Sequence, residues 1–284
     1  MKQLVIASGK GGAGKTTLAA AFASIVKNAV FADCDVDASN LHLIFHPEIK
    51  ERFNFKGMDV ATVDHEKCIM CMECKNSCRF DAITEKIEIL PEKCEGCGVC
   101  EYVCPTDAIK MVENIAGETY VSSSRFGWLV HARLNMGEEP SGKLVSIVRN
   151  KAKEIAEKYG KEFIIIDSSP GVGCPVIASI GGANLVVVVV EATAAAIHDM
   201  KRVMEVANHF KVPYVVCINK YNINEEKTKE IENFCMDNGI KIVGKIPYDT
   251  VVTEAMVNGK TIVEYDKKMA ELIEDIWKNV EENL

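Results

Sequence analysis

The sequence predicts an α/β protein: a doubly wound, mostly parallel sheet with helices on both faces, into which a small cysteine-rich α+β module is set. Three observations lead there. Short apolar runs recur, as in Phe163-Ile164-Ile165-Ile166, and suit strands covered on both faces. Stretches of helical length and period separate them. Eight of the 12 cysteines fall between residues 68 and 104 and split the alternation in two.

Composition narrows the function. The chain has 284 residues, 48% of them hydrophobic, enough for a sizeable core plus a small second module. A formal net charge of -8 offers no bulk attraction to nucleic acid or to an anionic membrane, so no nucleic-acid partner is expected. No apolar run reaches the ~18 residues of a membrane span. Met1-Lys2-Gln3 leads directly into a strand, so no signal peptide is expected either. The expected compartment is the cytoplasm, where cysteines are metal ligands more often than disulfides.

Taken in order, Leu4-Val5-Ile6-Ala7 reads as a buried first strand. Gly9-Lys10-Gly11-Gly12-Ala13-Gly14-Lys15-Thr16-Thr17 follows at once and opens a helix over 16–27. Gly9, Gly14, Lys15 and Thr16 fill the phosphate-loop pattern G-x-x-x-x-G-K-[ST] in its strand–loop–helix context. The glycines let successive backbone N–H groups close around phosphate, and the helix N-terminus adds a favourable dipole. Lys15 is expected on the β- and γ-phosphates and the Thr16 hydroxyl on Mg²⁺. A second strand over 29–32 ends in Asp33, Asp35 and Asp37, acids facing the ligand crevice. Asp37 is expected to cap the helix that begins near Leu41. Over 45–63 the pattern weakens, and Pro47 and Gly57 suggest a loop.

The cysteine block is the strongest signal. Cys68-x2-Cys71-x2-Cys74-x3-Cys78 is followed by Cys94-x2-Cys97-x2-Cys100-x3-Cys104-Pro105, and a shift of 26 residues superposes all eight cysteines. The same shift lays Asp81-Ala82-Ile83 on Asp107-Ala108-Ile109, an internal duplication. This is the bacterial two-cluster ferredoxin pattern, in which the fourth cysteine of each run serves the other cluster. One [4Fe–4S] cluster is therefore expected on Cys68, Cys71, Cys74 and Cys104, the other on Cys94, Cys97, Cys100 and Cys78. Zinc would call for isolated C-x2-C pairs instead. Arg79 stands where the second run has Pro105.

Strands are expected around Thr119-Tyr120-Val121 and Trp128-Leu129-Val130, then an amphipathic helix over 143–159. Phe163-Ile164-Ile165-Ile166-Asp167 is an apolar strand ending in an acid, with Asp167 placed to hold a water on Mg²⁺. Ser168-Ser169-Pro170-Gly171 follows as a γ-phosphate sensor. Strand 185–190, helix 195–210, strand 213–218, helix 225–238, strand 240–246 and a last helix over 266–282 complete the alternation. That last helix ends acidic, so no stable membrane anchor is expected. Asn219-Lys220-Tyr221-Asn222 lacks the second acid of a guanine-reading N-K-x-D, which favours adenine.

With Lys10, the loop K-G-G-x-G-K-[ST] over Lys10 to Thr16 resembles the deviant Walker A ATPases of the MinD/ParA/Mrp/Nbp35 class, nitrogenase iron protein included. The resemblance runs through nearly the whole chain, here with an inserted two-cluster ferredoxin. It implies domains over 1–61, 62–114 and 115–284: the ATPase, the ferredoxin insert, and the remainder of the ATPase. It implies that Lys10 reaches the nucleotide of a partner subunit, in a homodimer or a heterodimer with a similar ATPase. It implies that Asp35 contacts Mg²⁺ and helps position the attacking water, and that Asn219, Pro247 and Tyr248 bound the adenine. Cys174 stands at the offset from Asp167 where the nitrogenase iron protein has a cluster cysteine, though no second cysteine accompanies it. The expected function is an ATP-dependent dimeric switch in iron–sulfur or metal cluster assembly, with an apo-metalloprotein or redox partner. Gated electron transfer from the clusters is the alternative, and a MinD/ParA-like positioning role with a redox-sensing or docking module is the third.

Overall fold

The computed structural model describes residues 1–284. Strand β1 (Lys2–Ala7) runs into the glycine loop, helix α1 (Lys15–Ile25), β2 (Ala29–Cys34), the short α2 (Leu41–Phe45) and β3 (Glu48–Lys56). The cysteine-rich stretch holds β4 (Val60–Val63), α3 (Glu73–Ser77), α4 (Val99–Tyr102) and β5 (Ile109–Val112). The chain continues through β6 (Ile115–Ser124), β7 (Gly127–Leu134), α5 (Gly142–Lys158), β8 (Phe163–Ser168), α6 (Cys174–Ile180) and β9 (Leu185–Glu191). It closes with α7 (Ala196–His209), β10 (Tyr214–Asn219), α8 (Glu225–Asp237), β11 (Ile242–Ile246), α9 (Thr250–Val257), α10 (Ile262–Tyr265) and α11 (Lys267–Glu281).

Nine strands form one sheet in the order β11-β10-β9-β1-β8-β2-β7-β6-β3. The pairs from β11 through β7 are all parallel. Such strands need both faces covered, and every residue of β2 and β8 is buried. On one face α1 brings Ala19, Ala20, Ala21, Phe22 and Ala23 against Phe31 and Ile165, and α11 adds Ile276 and Trp277. Alanine on α1 removes bulk, so the helix can lie close to the strands that carry the glycine loop.

The expected loop over 45–63 is corrected: β3 and β4 lie there. Ile49, Phe53 and Phe55 do recur at strand spacing, but Glu51 breaks the series and only Phe55 is buried. The strand ends its sheet, and charged residues are what an unpaired edge tolerates. Asp37 does not cap α2 either. Asn40 holds the cap position without a side-chain bond, and Asp33 accepts from the Leu41 N–H instead.

The chain divides into two compact units. The first comprises Met1–Arg52, Thr119–Arg133 and Pro140–Leu284; the second comprises Phe53–Glu118 and Leu134–Glu139. The second is built on the antiparallel pair β4–β5, with a small core of Ala61, Cys74, Ile83, Ile87 and Ile109. Seven more cysteine and methionine side chains, Met72, Met111, Cys68, Cys78, Cys94, Cys100 and Cys104, pack on that core.

Candidate functional site

Parallel strands that end together leave a crevice beyond their C-terminal ends, and the phosphate loop sits there. Gly12 and Gly14 take left-handed backbone angles, φ 76° and 98°. At Gly14 a Cβ would also lie 2.2 Å from the Asn219 amide nitrogen, so the approach of β10 requires glycine. Asn219 Nδ2 donates to the Ala13 carbonyl at 2.8 Å, and its Oδ1 accepts from the Lys220 N–H at 2.9 Å. The loop's first part is tied elsewhere: the Gly171 N–H donates to Ser8 O at 2.9 Å, joining the loop to the segment after β8.

A cleft of about 500 Å³ is lined by Gly11, Gly12, Gly14, Lys15, Thr16, Thr17, Asp35, Ser169 and Pro170 among others. A second pocket, about 250 Å³, shares Gly12, Gly14 and Thr17 with it and adds Leu18, Asn219, Pro247, Tyr248 and Met256. Polar groups for phosphates thus adjoin an apolar slot of the size for a base. Gly9, Lys10 and Ala13 do not line this cleft. Gly9 packs on the Asp199 backbone, and Ala13 is buried with its carbonyl spent on Asn219.

The acids differ in duty. Thr16 Oγ1 donates to Asp167 Oδ2 at 2.6 Å, while Asp167 Oδ1 is buried with no hydrogen-bond partner. Burial, then the charge of Asp33, raises the Asp167 pKa well above the carboxylate range, against the Thr16 bond. An unpartnered carboxylate oxygen beside a threonine hydroxyl is what a magnesium-bound water would satisfy, so the residues fit that ion. Asp33 is committed to the chain itself. It accepts from Ser39 Oγ at 2.7 Å, Leu41 N at 3.1 Å and Asp35 N at 3.2 Å. Burial lifts its pKa to about 6 against those bonds. It therefore shapes the turn that delivers Asp35 to the cleft. Asp35 is half-buried; burial raises its pKa and the nearby Lys15 charge opposes.

Lys10 turns away from the cleft. Its Nζ lies 3.3 Å from Glu191 Oε2 and 3.3 Å from Thr193 Oγ1. Glu191 Oε1 holds Lys220 Nζ at 3.0 Å, and that ammonium also donates to Gly12 O at 3.2 Å. Sequence reading missed Glu191; the one available signal was a carboxylate ending an otherwise all-valine-and-leucine strand.

In the second unit, the cysteines gather into two pockets. One is lined by Cys68, Cys71, Cys74 and Cys104, the other by Cys78, Cys94, Cys97 and Cys100. Each quartet takes three cysteines from one run and the fourth from the other. No three His, Cys, Asp or Glu side chains converge closely enough to share one ion. Thiolates that cap different irons of a cubane stand farther apart than ligands of a single metal, so the quartets fit clusters better than zinc. The duplication extends to the backbone. Met70, Met72 and Asp81 take φ of 57°, 67° and 51°, and Gly96, Gly98 and Asp107, 26 positions on, take 63°, 74° and 51°. Such left-handed turns aim backbone N–H groups inward as anion nests, and the Ala108 N–H donates to Cys104 Sγ at 3.3 Å. Burial pushes the Cys100 thiol up to about 11 and the Cys74 thiol upward, so a free thiolate is disfavoured there until a metal takes the proton's place. Cys174 is exposed at the start of α6 and joins neither quartet.

The geometry agrees with what the chain resembles. The model of the CobQ/CobB/MinD/ParA nucleotide-binding domain matches residues 4–262, and the chain belongs to that family, whose MinD- and ParA-type members are ATPases. An uncharacterized protein of Methanocaldococcus jannaschii, MJ0578, is 33% identical over 283 residues, spanning 99% of this chain and 96% of that one. The septum site-determining protein MinD of Pyrococcus horikoshii, solved with Mg-ADP, superposes with a TM-score of 0.61 at 17% identity, over 98% of this chain and 95% of that one; the likeness is one of fold. A short match, 41% over 57 residues, links 18% of this chain to 92% of an uncharacterized ferredoxin of M. jannaschii, MJ0199. No helix is long and apolar enough to cross a membrane.

Proposed function

We propose that the protein is a Mg²⁺-dependent ATPase whose ATP-bound subunits pair, and whose pairing gates electron delivery from two resident [4Fe–4S] clusters to a redox partner. The observation that carries the reading is the pair of crossed cysteine quartets on a chain that also holds a complete phosphate loop. The second unit is accordingly taken as an inserted ferredoxin domain.

In this reading Lys15 and the amides of Gly11 to Thr17 gather the phosphates, and the Asn219, Pro247 and Tyr248 pocket takes adenine. Thr16, Asp35 and Asp167 would hold the ion and its waters. Bound Mg²⁺ supplies charge neutralisation at the phosphates, and bound clusters supply one-electron storage. Asp35 orients the attacking water, and Lys10 crosses to the partner's nucleotide. Catalysis is then positioning and charge compensation, with no covalent intermediate on the protein. The γ-phosphate shifts the pairing equilibrium because only the paired state can contact it twice.

Four thiolates saturate each cluster and leave no open iron position. That favours clusters that stay and relay electrons over clusters handed on, which makes assembly or delivery the lesser reading. The test is anaerobic purification, iron counting and ATP hydrolysis with the clusters oxidised and then chemically reduced. About eight irons per chain are expected, with a hydrolysis rate that rises with protein concentration and changes with redox state. Absent iron, or a rate indifferent to redox state, overturns the gating proposal; iron passing to an apo-protein in step with ATP would restore the delivery reading.

A further inference from the structure

Lys10 has two places to be, and the chain supplies one of them. Glu191 closes β9 and lies in register with Asn219 at the end of β10, so the sheet itself fixes the carboxylate beside the loop. Its two oxygens are divided between two ammonium groups, Oε2 to Lys10 at 3.3 Å and Oε1 to Lys220 at 3.0 Å. The Glu191 side chain is 18% exposed and that of Lys10 38%, so the contact is partly sheltered from solvent. The lysines also hold the carboxyl below its usual range despite burial, keeping the acid charged at neutral pH. Thr193, just past the strand, gives Lys10 a second acceptor.

We propose that Glu191 is an intramolecular holding site for Lys10. It competes with the phosphates of the partner subunit's ATP and so sets the protein concentration at which ATP-bound subunits pair. The inference rests on the reading that Lys10 acts across the dimer. When Lys10 leaves, Glu191 keeps its second cation, Lys220, so departure strands no buried carboxylate. An arrangement with one acid between two lysines therefore lowers the cost of release compared with a simple pair. Glu191 touches no phosphate in this scheme; it is a positioning residue that acts through Lys10.

The experiment uses the full chain, purified anaerobically, with ATP hydrolysis followed against protein concentration and pairing followed by sedimentation with a non-hydrolysable ATP analogue. Glu191→Gln should lower the half-maximal protein concentration about fivefold, the combined worth of the two weak, partly exposed ion pairs that each dimer releases, and leave the plateau rate per dimer unchanged. Thr193→Val, a milder cut to the same holding site, should move it in the same direction by less. Lys10→Ala should abolish the concentration dependence, and adding Glu191→Gln to it should change nothing further. A half-maximal concentration that stays put or rises in both Glu191→Gln and Thr193→Val, with Lys10→Ala behaving as stated, overturns the holding site alone. Concentration dependence that survives Lys10→Ala overturns the trans role of Lys10 and the holding site with it.

Discussion

The two units of this chain are held together by different means. The first buries whole strands and an alanine-rich helix, and its 26 acidic side chains are matched by 26 basic ones. The second centres on a cluster of five buried residues, one of them a cysteine, and carries 15 acidic side chains against 7 basic ones. The whole net charge of -8 therefore resides in the smaller unit. A region so small and self-repelling gains little from burial alone, and the proposed clusters would add the stabilisation that its thiol-rimmed core does not supply by packing. The larger unit has no such need.

The sharpest way to break that contrast is to remove the proposed iron. Chelation under anaerobic reduction should open the stretch 53–118 to protease and to amide exchange, while the first unit keeps its protection and its cooperative melting. Equal protection of both units after chelation would show that the small core suffices. Next in size is Lys15→Ala, which strips the sheltered ammonium from the phosphate loop. ATP hydrolysis should fall by about 100-fold or more, with iron content unchanged; a loss of iron would mean that the units do not fold separately.

A third test belongs to the first unit alone. His131 is buried on β7, its Nε2 3.2 Å from Ser122 Oγ and its ring against Tyr120 at 5.0 Å. Burial, with His42 stacked at 6.2 Å, lowers its pKa to about 4. Because the folded value is depressed, the neutral ring's contribution is complete above the unfolded pKa near 6.5 and disappears as pH falls toward 4. Unfolding free energies of the protein and of His131→Gln, from denaturant titrations, should draw together by up to about 3 kcal/mol across that window. A constant gap would remove the histidine from the acid response. The smallest effect separates the two cysteine runs. Met72 holds a left-handed angle that its counterpart Gly98 adopts freely, so Met72→Gly should stabilise the iron-loaded second unit by about 1 kcal/mol. A destabilisation would show that the Met72 side chain, which packs on the small core, outweighs the backbone term.

Much of this was legible beforehand, for physical reasons that differ by residue. The apolar runs at Leu4 and Phe163 could be little else than buried strands, and the glycine loop carries its own conformational demand at Gly12 and Gly14. The cysteine spacing carries the crossed quartets because it repeats the two-cluster ferredoxin pattern, in which the fourth cysteine of each run serves the other cluster. By contrast β3 escaped notice because an edge strand need not bury a face. Asp33 looked like a ligand-facing acid, yet its oxygens go to Ser39 and Leu41, a turn no local pattern announces. The partner of Glu191 was hidden for a topological reason: its neighbour Thr193 meets Lys10 across 183 positions of sequence, and only the strand order β9-β1 brings them side by side.

The crossing of the quartets has a consequence for how the second unit is made. Closing Cys68 on Cys104 ties the outer ends of both runs and confines every cysteine between them to one short loop. Cys78 then searches a small volume for Cys94, Cys97 and Cys100, so the entropy of the second closure has been largely spent by the first. Loading is thereby coupled: chains with both quartets filled and chains with neither should dominate any partially loaded population, and half-filled chains should be scarce.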